Sequence, residues 1–277
     1  MGVLLGVLWA MGVARAQQTV PPTLDDVLKG LEDNLQRYHT GVPNFFCDEH
    51  VVSQVAPGPR SADTVTDSVF RLKRVVGPDH TASLNESRDV RTVNGHPAKA
   101  EDLSGPTILR GAFSGGLAIV SLSQKACMRY TLEPGKPGHP GDPYVVEFAS
   151  IPGSERPPGC VLQEDGTGRV LVDPATMQIM RMELKAPHHI VTGAGVTARG
   201  EVIPPLMGVW VLSIDYAPVL LGGQSFWMPR TITSSATSVN GGPEPTVWSF
   251  KAGYSNYHKL EVKSRILPAS GSESESP

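Results

Sequence analysis

Four absences narrow the reading of this 277-residue chain. No stretch after the N-terminus is apolar for long enough to cross a bilayer as a helix, which takes about 20 residues. No block of basic residues stands out. Lys+Arg 24 against Asp+Glu 27 gives a formal net charge of -3, so nucleic acid is not an expected partner. No H-E-x-x-H, C-x-x-C or clustered acidic spacing occurs, so no metal or other cofactor is implied. Alternating strand–helix units are also missing, which argues against a parallel α/β sheet. What is present is ordinary globular composition, 40% hydrophobic and 18% charged, with Gly 29 and Pro 25. That pair suits an architecture of strands and turns.

The first 16 residues read as a signal peptide. Val3 to Val13 is an apolar run, and Ala14 and Ala16 offer the small residues a signal peptidase reads. Cleavage is expected near Ala16, with the mature chain periplasmic or secreted. One departure is that no Lys or Arg precedes the run; the other reading is a buried N-terminal helix. No Cys follows Ala16 closely, so no lipid-anchored mature end is expected. Export permits disulfides. Of Cys47, Cys127 and Cys160, the favoured pair is Cys127–Cys160, at the edges of neighbouring strands, and closing that loop is worth roughly 3 kcal/mol. Cys47 then reads as a small buried hydrophobe. His50 is near in sequence, but three residues along a strand place the two on opposite faces.

Thr23 can cap a helix, Asp25 and Asp26 suit its positive end, and Val27, Leu28, Leu31, Leu35 and Tyr38 form one apolar stripe. Gly41 and Pro43 end it. From Phe45 the period changes to two. Strands are predicted at 45–55, 69–76, 80–93, 127–132, 144–151, 168–172, 177–184, 209–216, 225–234, 246–253 and 258–266. Asn94-Gly95 and Asp173-Pro174-Ala175-Thr176 mark tight turns. Residues 101–124 read as one or two short helices over the sheet, and 187–205 as an exposed loop. The predicted fold is mainly β, of the α+β kind. It is a curved antiparallel sheet or incomplete β-barrel over 17–268, with the N-terminal helix and one or two short helices packed on it. The tail 269–277 is Ser/Glu-rich and expected to be disordered.

Three C-terminal segments carry a resemblance. Gly168 to Thr176 followed by Ile179 to Glu183 resembles a strand–Asp–Pro–x–Thr–strand–Arg hairpin. Phe226-Trp227-Met228-Pro229-Arg230 resembles a W-x-P strand. Tyr254 to Val262 resembles a terminal Y-x-N-Y strand. In this order they are similar to the LolA-like outer-membrane lipoprotein-sorting superfamily, and more narrowly to a secreted family common in Acidobacteria. The resemblance covers roughly residues 165–267. It implies an open barrel with a helix over its concave face, and a non-enzymatic protein that holds lipid or lipoprotein acyl chains. Greater length, Gly/Pro loops and an extra cysteine pair depart from that family.

Trp210, Phe226, Trp227, Trp248, Tyr254 and Tyr257 gather in the last strands. Core packing is the commoner fate of strand aromatics. An aromatic-lined cavity for an apolar ligand is the functional alternative. Phe226 and Trp227 are adjacent and expected to face opposite ways. Other candidates read as bland. Gly193 to Ala198 resembles a dinucleotide loop in letters, but Gly200 and Pro204 leave no room for a helix. His188 and His189 point apart on an extended chain. Ser114 lacks the first Gly of a nucleophile elbow, so a hydrolase is the least favoured reading. Glu86, Arg88 and Asp89, and likewise Arg181 and Glu183, read as cross-strand pairs on a wet sheet face. The second reading of the whole is a structural or protein-interaction role in the cell envelope, without a cavity.

Overall fold

The Thr23 cap forms as its sequence requires. Asp26 donates its backbone N–H to Thr23 Oγ1 at 3.2 Å, and Thr23 returns its own N–H to Asp26 Oδ2 at 2.9 Å. The helix that follows, α1, spans Leu24–Gly41 and buries Val27, Leu28, Leu31, Asn34 and Tyr38. The computed structural model describes residues 21–55, 63–77, 82–99, 112–133, 141–192, 195–196, 202–203, 206–239 and 246–261. The expected signal peptide and the Ser/Glu-rich tail lie outside the described residues.

Thirteen strands follow α1 in the described chain: β1 (Phe45–Val55), β2 (Asp63–Val76), β3 (Ala82–Val93), β4 (His96–Pro97), β5 (Met128–Leu132), β6 (Tyr144–Ser150), β7 (Thr167–Val172), β8 (Ile179–Thr192), β9 (Gly195–Val196), β10 (Val202–Ile203), β11 (Leu206–Leu221), β12 (Gln224–Ser238) and β13 (Thr246–Lys259). Between β4 and β5 lie a short helix, α2 (Ala112–Gly115), and 3-10 turns at Gly116–Ala118 and Leu122–Gln124. Eleven strands make one sheet in the order β4-β3-β2-β1-β13-β12-β11-β8-β7-β6-β5, while β9 and β10 pair separately. Every ladder is antiparallel. The sheet is thus two meanders sewn together by β1 and β13, and it does not close between β4 and β5. The architecture is the expected one: a curved open sheet with the helix in its concavity.

Two expectations need correction. Residues 187–205 are not wholly an exposed loop: β8 runs on to Thr192 and β9–β10 form a small hairpin. Bulges against β11 at Leu206/Met207 and Gly208/Trp210 absorb the irregularity around Pro187 and let the ladder continue. The predicted strands 246–253 and 258–266 are one strand, β13, as far as Lys259. A register shift opposite Phe46/Asp48 and a positive φ at Asn256 bend it rather than end it.

The concave face is filled where β1, β2 and β13 meet. Phe113, from α2, stacks on Phe70 with ring centroids 4.5 Å apart and meets Tyr254 edge-on at 5.0 Å. Phe45 lies 5.9 Å from Phe113 and 5.7 Å from Tyr257. Phe45, Phe70 and Phe113 are each 0% exposed, so this part of the cup is solid core. Gly116 shows how closely the helical segment sits: a Cβ there would meet the Tyr216 hydroxyl at 2.5 Å.

Cys127 and Cys160 form a disulfide with a sequence separation of 33, and Cys47 is free and buried. The bridge ties the start of β5 to the loop before β7, at the edge of the sheet where few ladders hold. Removing both sulfurs by Cys127→Ala/Cys160→Ala should lower the unfolding free energy by about 3–4 kcal/mol on loop-closure grounds. Urea titration under oxidising conditions checks this; a loss below about 1 kcal/mol would show that the unfolded chain is not the state the bridge restrains.

Candidate functional site

One apolar cleft stays open beneath α1. It holds about 470 Å³ and lies between the C-terminal half of the helix, the β7–β8 turn and the β11–β12 hairpin end. Leu31, Leu35, Tyr38, Leu117, Ile179, Phe226 and Trp227 give it apolar walls, and Asn34, Arg37, Gln178 and Gln224 give it polar ones.

The turn and the helix fix each other's position. Asp173 Oδ1 accepts the N–H groups of Ala175 at 2.7 Å and Thr176 at 3.0 Å, which shapes the turn as the Asp-Pro sequence requires. Met177 then takes a positive φ of 53°. Asn34 Nδ2 reaches across to the carbonyl oxygens of Thr176, at 3.0 Å, and Met177. Arg37 donates in turn to Asn34 Oδ1. The helix comes so close that a Cβ on Gly30 would lie 2.9 Å from Met177 Cβ. At its far end Tyr38 donates its hydroxyl to Met228 Sδ at 3.6 Å, and burial pushes the phenol upward from its ordinary value. Asn34 falls on the apolar stripe of α1, and a polar residue at such a buried position is the one signal the sequence carries for it.

The six aromatics of the C-terminal strands divide. Phe226 and Trp227 both line the cleft, because it opens at the strand end where the two faces meet. Tyr254 and Tyr257 sit in the core: Tyr254 donates to Glu49 Oε1 at 2.9 Å and Tyr257 to the Pro229 carbonyl at 2.5 Å. Trp210 lies toward the opposite end, on β11, and donates Nε1–H to Ser234 Oγ at 2.7 Å. Trp248, half-buried at the start of β13, is opposite Val55 and Ala236. The structure therefore brings Phe226 and Trp227 together and leaves the other four elsewhere.

The remaining candidates are placed as follows. Burial pushes the Cys47 thiol upward, with Glu49 and Asp48 adding to it, so the thiolate is disfavoured. His50 is on the outer face, 2.7 Å from Asp67, whose carboxyl is held low by that bond and by Thr92. His188 is exposed, while His189 Nδ1 is 2.8 Å from Glu164 Oε2 and its ring is 5.2 Å from that of Trp210. Gly195 and Val196 form β9 rather than the start of a helix, and the rest of that glycine-containing segment lies outside the described residues, as does the Ser114 side chain. Among the described residues no group of three His, Cys, Asp or Glu could hold a metal ion.

Glu86 and Arg88 depart from the expected wet face. Their side chains are 7% and 5% exposed, beneath β3, and Arg88 Nε donates to both Glu49 oxygens at 2.9 Å. The guanidinium also lies 4.9 Å over the Phe70 ring. The period-two pattern was right; which face is wet was not legible, because Glu49 on β1 supplies the partner from 39 residues away. The pairs at Arg71–Asp89 (3.3 Å), Arg169–Glu183 (2.7 Å) and Arg181–Asp215 (2.9 Å) are surface cross-strand pairs as expected.

Burial raises the Glu49 carboxyl above its usual value, against the pull of Arg88 and Tyr254. A carboxyl raised by folding stabilises fully below its unfolded value, about 4.3, and that contribution is lost as pH climbs through the folded value. Arg88→Met removes the main opposing pull, so the window widens upward. The variant should lose about 3–5 kcal/mol near pH 8 and recover part of it near pH 5, where Glu49 can take up a proton. Urea unfolding at both pH values measures it; an equal loss at both would exclude Glu49 as the titrating group.

No protein-family model matches the chain, and no curated protein does. Among solved structures, it is similar to a LolA superfamily protein from Nitrosomonas europaea, at 10% identity over 84% of this chain and 93% of that one, TM-score 0.35. A domain assigned to outer membrane lipoprotein sorting from Vibrio parahaemolyticus is 14% identical over 82% and 89%, TM-score 0.34. A DUF1329 family protein from Desulfovibrio piger is 12% identical over 86% and 95%, TM-score 0.38.

Proposed function

We propose that the protein is an exported, non-enzymatic binding protein that holds a single apolar chain, of the acyl type, in the cleft beneath α1. The observation that carries this is the cleft's make-up: about 470 Å³, apolar walls that include Phe226 and Trp227, and a few polar groups. Ligand sites of roughly 300–1,000 Å³ are commonly built that way. The solid core under β1, β2 and β13 limits the ligand to this one end. The Cys127–Cys160 bridge supports folding in an oxidising compartment, in keeping with the signal-like N-terminus. A second reading, a structural or protein-interaction role in the envelope, is favoured by one observation: Phe113 fills much of the concavity itself.

Native mass spectrometry of protein purified from its own envelope should show an extra mass that is lost on denaturation. Leu35→Gln and Trp227→Ala, both at half-buried positions, should each weaken binding of the lipophilic probe N-phenyl-1-naphthylamine about tenfold, the cost of one lost apolar contact. A clean apo mass together with no probe uptake would remove the carrier reading and leave the structural one.

A further inference from the structure

The outer face of the sheet carries a second opening, larger than the cleft and opposite in character. A groove of about 660 Å³ runs across β5, β6, β7, β8 and β11. Antiparallel register sets its lining in two rows. One runs Arg129, Ala149, Thr167, Lys185, Val211, and the next runs Thr131, Glu147, Arg169, Glu183, Ser213. Ala149 and Thr167 keep the floor low between Arg129 and Lys185. Those two stand three strand spacings apart, about 14 Å on a flat sheet, so both can lean over the same ion.

Charge and hydrogen bonding point to one kind of ligand. Arg129, Arg169, Arg181 and Lys185 line the groove against Glu147 and Glu183, in a chain of formal net charge -3. Glu183 is already used by Arg169 and Arg181, at 2.7 and 2.8 Å. Arg129 and Lys185 join no ion pair among the described residues, and neither does Glu147, so two such cations face one such carboxylate. The Ser213 Oγ is buried without a hydrogen-bond partner among the described residues, although it borders the groove. A buried hydroxyl left unmatched costs stability and is the kind of group a ligand completes. Two unpaired cations against one carboxylate, with a spare hydroxyl donor, leave a positive surplus that suits an anion with several oxygens better than a carboxylate with two.

We propose that this outer groove binds a phosphate group, with Arg129 and Lys185 as its cationic contacts and Ser213 as a hydroxyl donor. The site is on the opposite side of the sheet from the apolar cleft and does not depend on it. Phosphate chemistry has two sources in an envelope, the free ion and a lipid headgroup, and the two are separable in solution.

Isothermal titration of the full mature chain with inorganic phosphate, with dihexanoyl phosphatidic acid below its micelle concentration and with acetate tests the idea. Phosphate or the lipid should bind, acetate should bind at least about tenfold more weakly, and affinity should fall as salt rises. Arg129→Gln/Lys185→Gln should weaken binding by about tenfold or more without moving the thermal midpoint, since both side chains are exposed. Lys251→Gln, which removes a cation elsewhere on the same sheet, should leave affinity unchanged. Equal affinity for the ion and the lipid assigns the free ion; tighter lipid binding assigns the headgroup. No binding by either, equal binding of acetate, or an unaltered double variant would overturn the proposal. None of these outcomes touches the probe binding of the cleft.

Discussion

The ladder between β1 and β13 is the constraint on which the rest depends. Without it the chain is two separate meanders, β1 to β4 and β5 to β13, and neither has a closed core. Pairing the first strand with the last merges them over ten registered positions, from Phe45↔Lys259 to Val55↔Trp248. It is also the most non-local contact in the fold, so its loop-closure entropy must be met by what assembles around it. That assembly is the cluster of Phe45, Phe70, Phe113, Tyr254 and Tyr257, drawn from β1, β2, α2 and β13. The densest part of the core therefore sits at the seam that needs it.

The other consequence of this topology is an opening. Sewing β1 to β13 leaves β4 and β5 as the two ends of the sheet, and the described residues 112–124 between them form helical turns. The helix α1 crosses the gap, touching β3 on one side and β5 on the other. A helix can cover a curved sheet without matching its curvature, so space remains where the fit is poorest. Here that is the end of the cup, where Asn34 and Gly30 hold α1 down on the β7–β8 turn and Tyr38 holds it to Met228, with the cleft between. The positions of the two anchors, rather than side-chain size alone, decide how wide the cleft is.

Much of this was legible from the sequence. The Thr23 cap, the stripe from Val27 to Tyr38, the Asn94-Gly95 and Asp173–Thr176 turns and the period-two runs each follow from local chemistry. Local chemistry is what a sequence displays. The pairing of Cys127 with Cys160 was within reach because both lie at strand edges close in order. What escaped was set by partners distant in the chain. Glu86 and Arg88 alternate as surface residues would, and it is Glu49, brought alongside by β2, that gives the buried Arg88 its carboxylate. The six C-terminal aromatics looked alike for a similar reason. Strand parity gives the face of a residue, but not its height along a curved sheet, and height separates Phe226 and Trp227 from Trp210 and Trp248.

The same limit of parity explains why the outer groove had no signature. Arg129, Thr167 and Lys185 come from three strands, and no window of sequence contains them together. Each reads alone as an ordinary solvent-facing residue. Their meaning arises from register, which lines up small Ala149 and Thr167 between two long cations and sets Ser213 beside Glu183. An exposed face needs no such arrangement for stability. Surface pairs such as Arg169–Glu183 add little, about 1 kcal/mol or less. A buried hydroxyl without a partner subtracts from stability. The buried Ser213 hydroxyl, without a hydrogen-bond partner among the described residues, is therefore a cost in the free state that an anion in the groove would return.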